Sequence, residues 1–271
     1  MTSLSKAQSP DPAHWIIKRI TTFAKDVGSI VPEGFEAYAR VFHHAGKSSS
    51  LDDYETVTWT EIALANGKTV HPEMQFESIV PPGSFDRAMN MKISQPGLWE
   101  APPEEGCLDK PIIESLIPLL AKHTTTPKQC WFAFWGGWGI PVMVAFAPSQ
   151  GTVDPALDRT HERFVGAMHE KMRAPSVKLP SREYFLLQGP VAAATQSWYE
   201  PPLDDDYQSP SLWWPDDRSW CVATEVDFMS TYIGGTKDCI AGVLENPQIE
   251  ALEVKISDSI GGDPINSPEG G

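Results

Sequence analysis

Two carboxylates in the second half of the chain have the spacing that most directly suggests chemistry. Glu225 and Asp227 lie two residues apart in an alternating segment, Trp220 to Phe228, which predicts a β-strand. Residues two apart on a strand point to the same face and lie roughly 7 Å apart. Two carboxylates placed in this way can raise one another's pKa, bind a cation or hold an arginine. This pair is therefore the first candidate for a ligand, acid–base or metal site.

Three charged residues just upstream, Asp216, Asp217 and Arg218, can join that pair. In one interpretation Arg218 pairs with Asp217 or bridges to Glu225 and so anchors a loop, because ion-pair networks also gather charges without any function. In a second interpretation the cluster binds a ligand, and in a third it performs acid–base or metal chemistry. The sequence favours the ion pair and leaves the other two open.

Two adjacent tryptophans precede the charged cluster. Trp213 and Trp214 are followed by Pro215, whose ring fixes its own φ and restricts the residue before it. We predict that both lie in a loop between polar residues, where buried indoles would form a hydrophobic clamp and exposed ones a binding hot spot, since tryptophan is enriched at such positions. Two exposed neighbouring indoles would promote aggregation, which favours partial burial. Binding groups usually lie on loops that a rigid element holds. The candidate ligand-binding residues are therefore Trp213, Trp214, Asp216, Asp217, Arg218, Glu225 and Asp227.

The same segment carries a family resemblance. The run from Trp213 to Trp220 has the pattern Trp-Trp-Pro-x-Asp-Arg-x-Trp, and Glu-x-Asp follows from Glu225. With this pattern the chain resembles a family of uncharacterised bacterial proteins. The stretch from His123 to Phe132, with its His-Thr-Thr-Thr-Pro and Cys-Trp-Phe runs, is similar to the same family. The resemblance covers much of the second half of the chain and implies no activity, so it assigns no catalytic residue.

The other chemistry-bearing residues form no complete motif. Asp158 and His161 have a spacing that suits one helix face, but two ligands do not make a metal site. His43 and His44 fall on opposite faces of a predicted strand and cannot share a metal unaided. The run Gly234-Gly235-Thr236 lacks the lysine of a phosphate-binding loop, and the sequence has no Gly-x-Ser-x-Gly elbow and no cysteine beside a base. We therefore predict no metal, no cofactor and no catalytic residue.

The charge balance bounds the partners. The 271 residues include 21 Lys and Arg against 36 Asp and Glu, a formal charge of −15. Such a surface repels phosphate backbones and anionic membranes, so nucleic acid and membranes are poor partners. No apolar run approaches the roughly 20 residues of a membrane helix, and residues 1–12 lack the apolar core of an export signal. We expect a soluble, cytoplasmic protein with four reduced cysteines that binds a protein or a small molecule.

Helical and strand patterns alternate along the chain. Helices are predicted from Ala13, from Thr58 with Glu61 completing a capping box, over Lys110–Lys122 and after Thr236. The third has an apolar stripe of Ile112, Ile113, Leu116, Leu119 and Leu120, and Pro118 within it predicts a kink or an early stop. Strands are predicted over 35–44, 130–135 with a hairpin partner at 142–146, 184–187, 220–228 and 252–256. Short strands and hairpins interspersed with helices favour an α+β fold with a mainly antiparallel sheet and flanking helices. No linker separates two cores, so we predict a single domain over 13–257 and flexible tails at 1–12 and 258–271.

Two functional classes remain. The first is a non-catalytic binding or interaction protein that uses an acidic, aromatic-rich surface, which the ten tryptophans and the lack of a catalytic constellation favour. The second is a carboxylate-dependent hydrolase, with or without a metal, built on Asp216, Asp217, Glu225 and Asp227. A concave acidic pocket at these residues would favour the enzyme. Carboxylates capped by Arg218 under a flat surface would favour the binding protein.

Overall fold

The structure is a computed structural model that describes residues 3–50, 53–85, 94–138, 166, 168–198 and 207–267. Its strands are β1 (Ser5–Lys6), β2 (Ala37–Phe42), β3 (Ala45–Ser50), β4 (Asp53–Val57), β5 (Cys130–Trp135), β6 (Ser176–Leu179), β7 (Arg182–Gly189), β8 (Leu212–Pro215), β9 (Cys221–Thr224), β10 (Ser230–Gly235) and β11 (Ala251–Val254). Its α-helices are α1 (His14–Ile17), α2 (Trp59–Ala65), α3 (Phe76–Ile79), α4 (Lys110–Lys122) and α5 (Lys237–Leu244). Four 3₁₀ turns cover Asp11–Ala13, Val27–Ser29, Gly136–Trp138 and Val191–Thr195.

One large antiparallel sheet organises these elements. Its strand order is β1-β7-β5-β8-β9-β10-β2-β11, and β6 also pairs with β7. The strands β3 and β4 form a separate two-stranded hairpin. Every pairing between named strands is antiparallel. The predicted α+β fold with a mainly antiparallel sheet and flanking helices is confirmed.

Alternating side chains of the sheet fill two cores, one on each face, because neighbours along a strand point in opposite directions. On one face Phe132, Trp213 and Val222 pack with Ile113 of α4 and Ile240 of α5. On the other face lie Trp131, Trp214, Ala223, Trp15 and Ile16. The apolar stripe predicted for α4 is confirmed, and Pro118 lies inside the helix without ending it.

The end of the sheet near β2 and β11 carries a third core, built around α2 and α3. As predicted, Thr58 caps α2, and Glu61 completes the capping box by accepting a hydrogen bond of 2.8 Å from the Thr58 amide. A second carboxylate was not predicted here. Glu250, just before β11, accepts the amides of Trp59 and Thr60 at 2.7 Å each. These groups satisfy amides that a helix N-terminus leaves without partners.

The described parts of both predicted tails make specific contacts, which corrects the expectation that they have little to bury. Ser5 and Lys6 pair with Gln188 and Leu187 of β7. At the other end, the fully enclosed carboxylate of Asp263 bonds to His71 at 2.9 Å. Burial alone would raise the pKa of Asp263, but its hydrogen bonds hold that pKa at about 2. The boundaries of the single domain, 13–257, stay a prediction.

Two strand predictions need correction or fall outside the structure. The strand expected over 220–228 ends at Thr224, because the chain turns from Glu225 to Met229 to join β9 to β10. The segment 142–146, predicted as the hairpin partner of β5, lies outside the described residues. The strand β5 pairs with β7 on one side and with β8 on the other.

Candidate functional site

The two predicted tryptophans lie inside the sheet. Trp213 and Trp214 belong to β8 and are each only 1% exposed. Since they are neighbours on a strand, they point to opposite faces: Trp213 stacks on Phe132, and Trp214 meets Trp15 edge to face. The loop position that the sequence predicted is therefore wrong. Both indoles act as core side chains.

The two aspartates after β8 are hydrogen bonded. The carboxylate of Asp216 accepts the Trp131 indole N–H at 3.0 Å. Asp217 accepts the backbone amide of Thr125 at 2.6 Å, its hydroxyl at 2.7 Å and the Ser219 amide at 3.1 Å. Burial alone would raise the pKa of Asp217, but these hydrogen bonds and one from Thr124 lower it to about 2. Asp217 thus ties two loops together as an ionised acceptor.

Glu225 and Asp227 do come together, but through a different arginine from the predicted one. Arg182, at the start of β7, donates to Glu225 Oε1 from Nε at 2.8 Å and from Nη2 at 2.5 Å, and Nη2 also reaches Asp227 Oδ2 at 2.5 Å. The guanidinium of Arg218 lies over the ring of Trp15, at 5.8 Å from the centroid. The predicted Arg218–Glu225 bridge is therefore replaced by Arg182–Glu225, and the two carboxylates meet across a turn rather than along a strand face.

A small cavity beside this ion pair has a volume of about 20 Å³. Glu225, Arg182 and Ser211 line it, and a space of this size holds about one water molecule. Only 6% of the Glu225 side chain is exposed, and burial raises its pKa while Arg182 opposes the rise. The predicted segment is a closed hydrogen-bonded cluster with no room for an organic ligand.

A much larger cleft has a volume of about 640 Å³. It is lined by the start of α4, by the segment before that helix, by His44 between β2 and β3, and by one residue of β4. Its lining residues are His44, Thr56, Glu104, Cys107, Asp109, Lys110, Pro111, Ile112, Tyr207 and Gln248. Pockets of about 300–1,000 Å³ are the usual size for small-molecule sites.

His43, next to the cleft, fixes one of its walls. Its Nδ1 lies 2.6 Å from the carbonyl oxygen of Glu104 and its Nε2 lies 2.9 Å from the hydroxyl of Thr231. A carbonyl only accepts, so Nδ1 carries the proton and the Thr231 hydroxyl donates to Nε2. Burial lowers the pKa of His43 to about 4, against the hydrogen bond to Glu104. The imidazole is therefore neutral at pH 7 and links the sheet to the cleft wall.

Asp109 differs from the other formally charged residues of the cleft lining, Glu104 and Lys110, because it is not exposed. It is half-buried at the N-cap of α4, yet its side chain makes no capping hydrogen bond. Among the described residues it accepts one long bond, 3.4 Å, from the backbone amide of His44. Burial raises the pKa of Asp109, and the nearby His44 offsets part of that rise. Burial likewise lowers the pKa of His44, against the attraction of Asp109 and Glu61.

The deep wall of the cleft is neutral. The thiol of Cys107 accepts the Ser209 amide at 3.4 Å, and burial raises its pKa to about 12, so it is an inert thiol at neutral pH. The hydroxyl of Tyr207 is enclosed and has no hydrogen-bond partner among the described residues, and burial raises its pKa as well. An enclosed hydroxyl without a partner costs free energy. Such costs are typical of functional sites rather than of a chain selected for stability alone.

The cleft was missed in the sequence because its parts are far apart along the chain. His44 was considered only as a metal ligand with His43, and Glu104, Asp109 and Tyr207 were not singled out. The one available signal was Asp109 before Lys110 and Pro111, a helix start that carries a carboxylate. Chemically, the cleft offers a carboxylate for a cation, a neutral imidazole for proton transfer and an apolar floor.

Three negative findings limit what can be said of this site. Within the described ranges, no group of three or more His, Cys, Asp or Glu side chains has the arrangement of a metal site. No helix in the described part of the chain is long and apolar enough to cross a membrane. No protein-family model, curated protein or solved structure matches the chain significantly. The family resemblance of the Trp213–Asp227 segment stays a prediction.

Proposed function

We propose that this protein binds a small polar organic molecule in the cleft beside Asp109. The observation that carries the proposal is the state of Asp109: a half-buried carboxylate, without ion pair or capping bond among the described residues, lines a space of about 640 Å³. Desolvated charges are normally paired. A ligand that satisfies Asp109 therefore completes the site.

A small ligand fits better than a protein partner recognised through tryptophans. Trp213 and Trp214 are each 1% exposed and contribute to the two cores rather than to a surface. The acidic, aromatic-rich surface predicted for a binding protein therefore cannot use these two tryptophans. The cleft supplies a concave space, the apolar side chains of Pro111 and Ile112, and an otherwise mostly polar lining, which suits a small polar molecule.

A hydrolase built on the four carboxylates of the Asp216–Asp227 segment gains no support. A carboxylate that acts on a substrate needs free lone pairs within reach of it. Asp216 and Asp217 accept hydrogen bonds from the fold, and Glu225 and Asp227 share Arg182. The cavity beside them is too small for a substrate.

A cleft-filling variant tests the proposal. Thr56 is exposed at the rim of the cleft, so Thr56→Trp places an indole in the opening without disturbing the core. Thr22→Trp makes the same change at an exposed position outside the cleft lining. Wild type and both variants are screened by ligand-observed NMR against water-soluble amines, acids, sugars and nucleosides.

The expected result is at least one compound that binds wild type and Thr22→Trp and loses binding to Thr56→Trp. Compounds that bind all three proteins equally do not occupy the cleft. If no compound of any class distinguishes Thr56→Trp from wild type, while both variants melt like wild type, the proposed function is wrong.

A further inference from the structure

We infer that the ligand of this cleft is an organic cation, with a protonated amine held by Asp109 and an apolar body resting on Pro111 and Ile112. This inference rests on the proposed function, since it names the class of ligand for the same site. It follows from the charges that line the cleft, from their burial and from the apolar part of the floor.

Three of the lining groups carry a formal charge at neutral pH: Glu104, Asp109 and Lys110. Glu104 and Lys110 are both exposed and have opposite signs, so solvent screens them and they offset one another. Asp109 is the half-buried member, and its field is screened least. The charge that a ligand meets inside the cleft is therefore negative.

The remaining titratable groups do not reverse this sign. Burial lowers the pKa of His44, which keeps its imidazole neutral at pH 7. Burial raises the pKa of Cys107 to about 12 and raises that of Tyr207 too, so both stay protonated and uncharged. The N-terminus of α4 contributes about half a positive charge. That partial charge does not satisfy Asp109, because the side chain bonds to none of the helix amides.

The surroundings of Asp109 predict different affinities for a cationic, a neutral and an anionic ligand. A protonated amine gives this half-buried carboxylate the ion-pair partner that it lacks among the described residues. A neutral ligand leaves it with the 3.4 Å bond from His44. An anion meets repulsion from Asp109. The overall charge of −15 favours the same order of affinity, with the cation first and the anion last, because it attracts cations to the protein and repels anions.

Three indole compounds that differ only in their charged group test the inference. Tryptamine is the cation, tryptophol is the neutral alcohol and indole-3-propionate is the anion, and each is titrated by calorimetry at pH 7. The proteins are wild type, Asp109→Asn, Thr56→Trp and Glu33→Gln. The last removes one exposed carboxylate outside the cleft lining and is the control for overall charge.

We expect tryptamine to bind wild type and Glu33→Gln saturably, at one site, and at least roughly tenfold more tightly than tryptophol. Asp109→Asn should remove that preference, and Thr56→Trp should remove binding. If tryptophol or indole-3-propionate binds more tightly than tryptamine, and Thr56→Trp weakens that binding, the inference of a cationic ligand is wrong. The cleft then remains a ligand site. If tryptamine shows no saturable binding at roughly 10 mM, the inference of a cationic ligand is also wrong. The NMR screen decides separately whether the cleft binds any small molecule.

Discussion

The Asp216–Asp227 segment and the cleft beside Asp109 use carboxylates in opposite ways. In the first, every carboxylate has a donor: indole N–H for Asp216, hydroxyls and amides for Asp217, and one guanidinium for Glu225 and Asp227. In the second, Asp109 accepts a single 3.4 Å bond among the described residues. A dense run of charge in a sequence thus marks a place where the fold is held together. The charge with few partners marks the place where a ligand is expected.

The two regions touch, so a change in one is felt by the other. Gly106 lies in the Pro-rich segment before α4, with a φ of +70°, and its amide donates to the Phe228 carbonyl at 2.9 Å. A Cβ at this position would lie 2.5 Å from the carbonyl oxygen of Val226. Only glycine fits, because both the positive φ and the close approach exclude a side chain. The segment that forms one wall of the cleft therefore packs directly against the turn that contains Asp227.

The largest effect is expected from Arg182→Met. This variant keeps an unbranched apolar stem but leaves the nearly enclosed Glu225 without its cation, which costs about 3–5 kcal/mol of the free energy of unfolding. Arg173→Met is the matched control, since Arg173 and Glu170 are mostly exposed and solvent screens such a pair, so it stabilises the fold little. Urea unfolding at pH 7 measures both. Equal losses for the two arginines would show that the Glu225 cluster is no more important than a surface pair.

A double variant sharpens that experiment. Adding Glu225→Gln to Arg182→Met removes the stranded charge, so we expect it to recover a large part of the lost stability. A double variant that is as unstable as Arg182→Met alone would mean that Arg182 acts through packing on Phe23 and Trp135 instead.

Acid should destabilise the protein through His43, which links the sheet to the wall of the cleft. Its pKa is about 4 in the folded protein against 6.5 in the unfolded chain, so the unfolded state binds more protons between these values. Stability should therefore be complete above pH 6.5 and fall by about 3 kcal/mol as the pH drops to 4. Urea unfolding from pH 7 to pH 4 measures this slope. His43→Asn should flatten it, whereas His14→Asn, at an exposed position, should leave it as in wild type.

Local patterns predicted the parts of the fold that neighbours along the chain determine. Thr58 and Glu61 lie three residues apart and cap α2 as expected, and the apolar stripe of α4 gave both its limits and its buried face. Trp213 and Trp214 were misplaced for a physical reason. Both faces of β8 are buried, so the strand shows no polar alternation and resembles a loop between charged residues.

The candidate site could not be predicted because contacts between distant segments create it. Arg182 reaches Glu225 across 43 positions, and no local rule separates it from the nearer Arg218. Asp109 and Tyr207 are 98 positions apart in the sequence and line one cleft. Sequence patterns indicate which side chains of a helix or strand are buried. They do not report which carboxylate will be left without a donor once the sheet has formed.

Two aspartate-to-asparagine changes compare the regions directly. Asp217→Asn should lower the free energy of unfolding by about 1 kcal/mol, because the carboxylate accepts several hydrogen bonds while solvent screens its exposed side. Asp109→Asn should cost nothing or stabilise the protein on the order of 0.5 kcal/mol, because it removes a desolvated charge that accepts only one long hydrogen bond among the described residues. Thermal unfolding without added ligand measures both. A loss at Asp109 as large as that at Asp217 would show that Asp109 already has a structural partner.

The smallest effect, and the most specific, is expected at the wall of the cleft. Tyr207→Phe removes a hydroxyl that is enclosed and unpartnered among the described residues, so the variant should be as stable as wild type or more stable by about 0.5 kcal/mol. Tyr38→Phe is the control: the Tyr38 hydroxyl accepts the Phe35 amide at 3.0 Å, and its loss should cost about 1 kcal/mol. Chemical unfolding of both variants, measured side by side, decides the point. A Tyr207→Phe loss that equals the Tyr38→Phe loss would mean that the hydroxyl has a partner in the folded protein, and the wall of the cleft would then be as fully bonded as the Asp216–Asp227 segment.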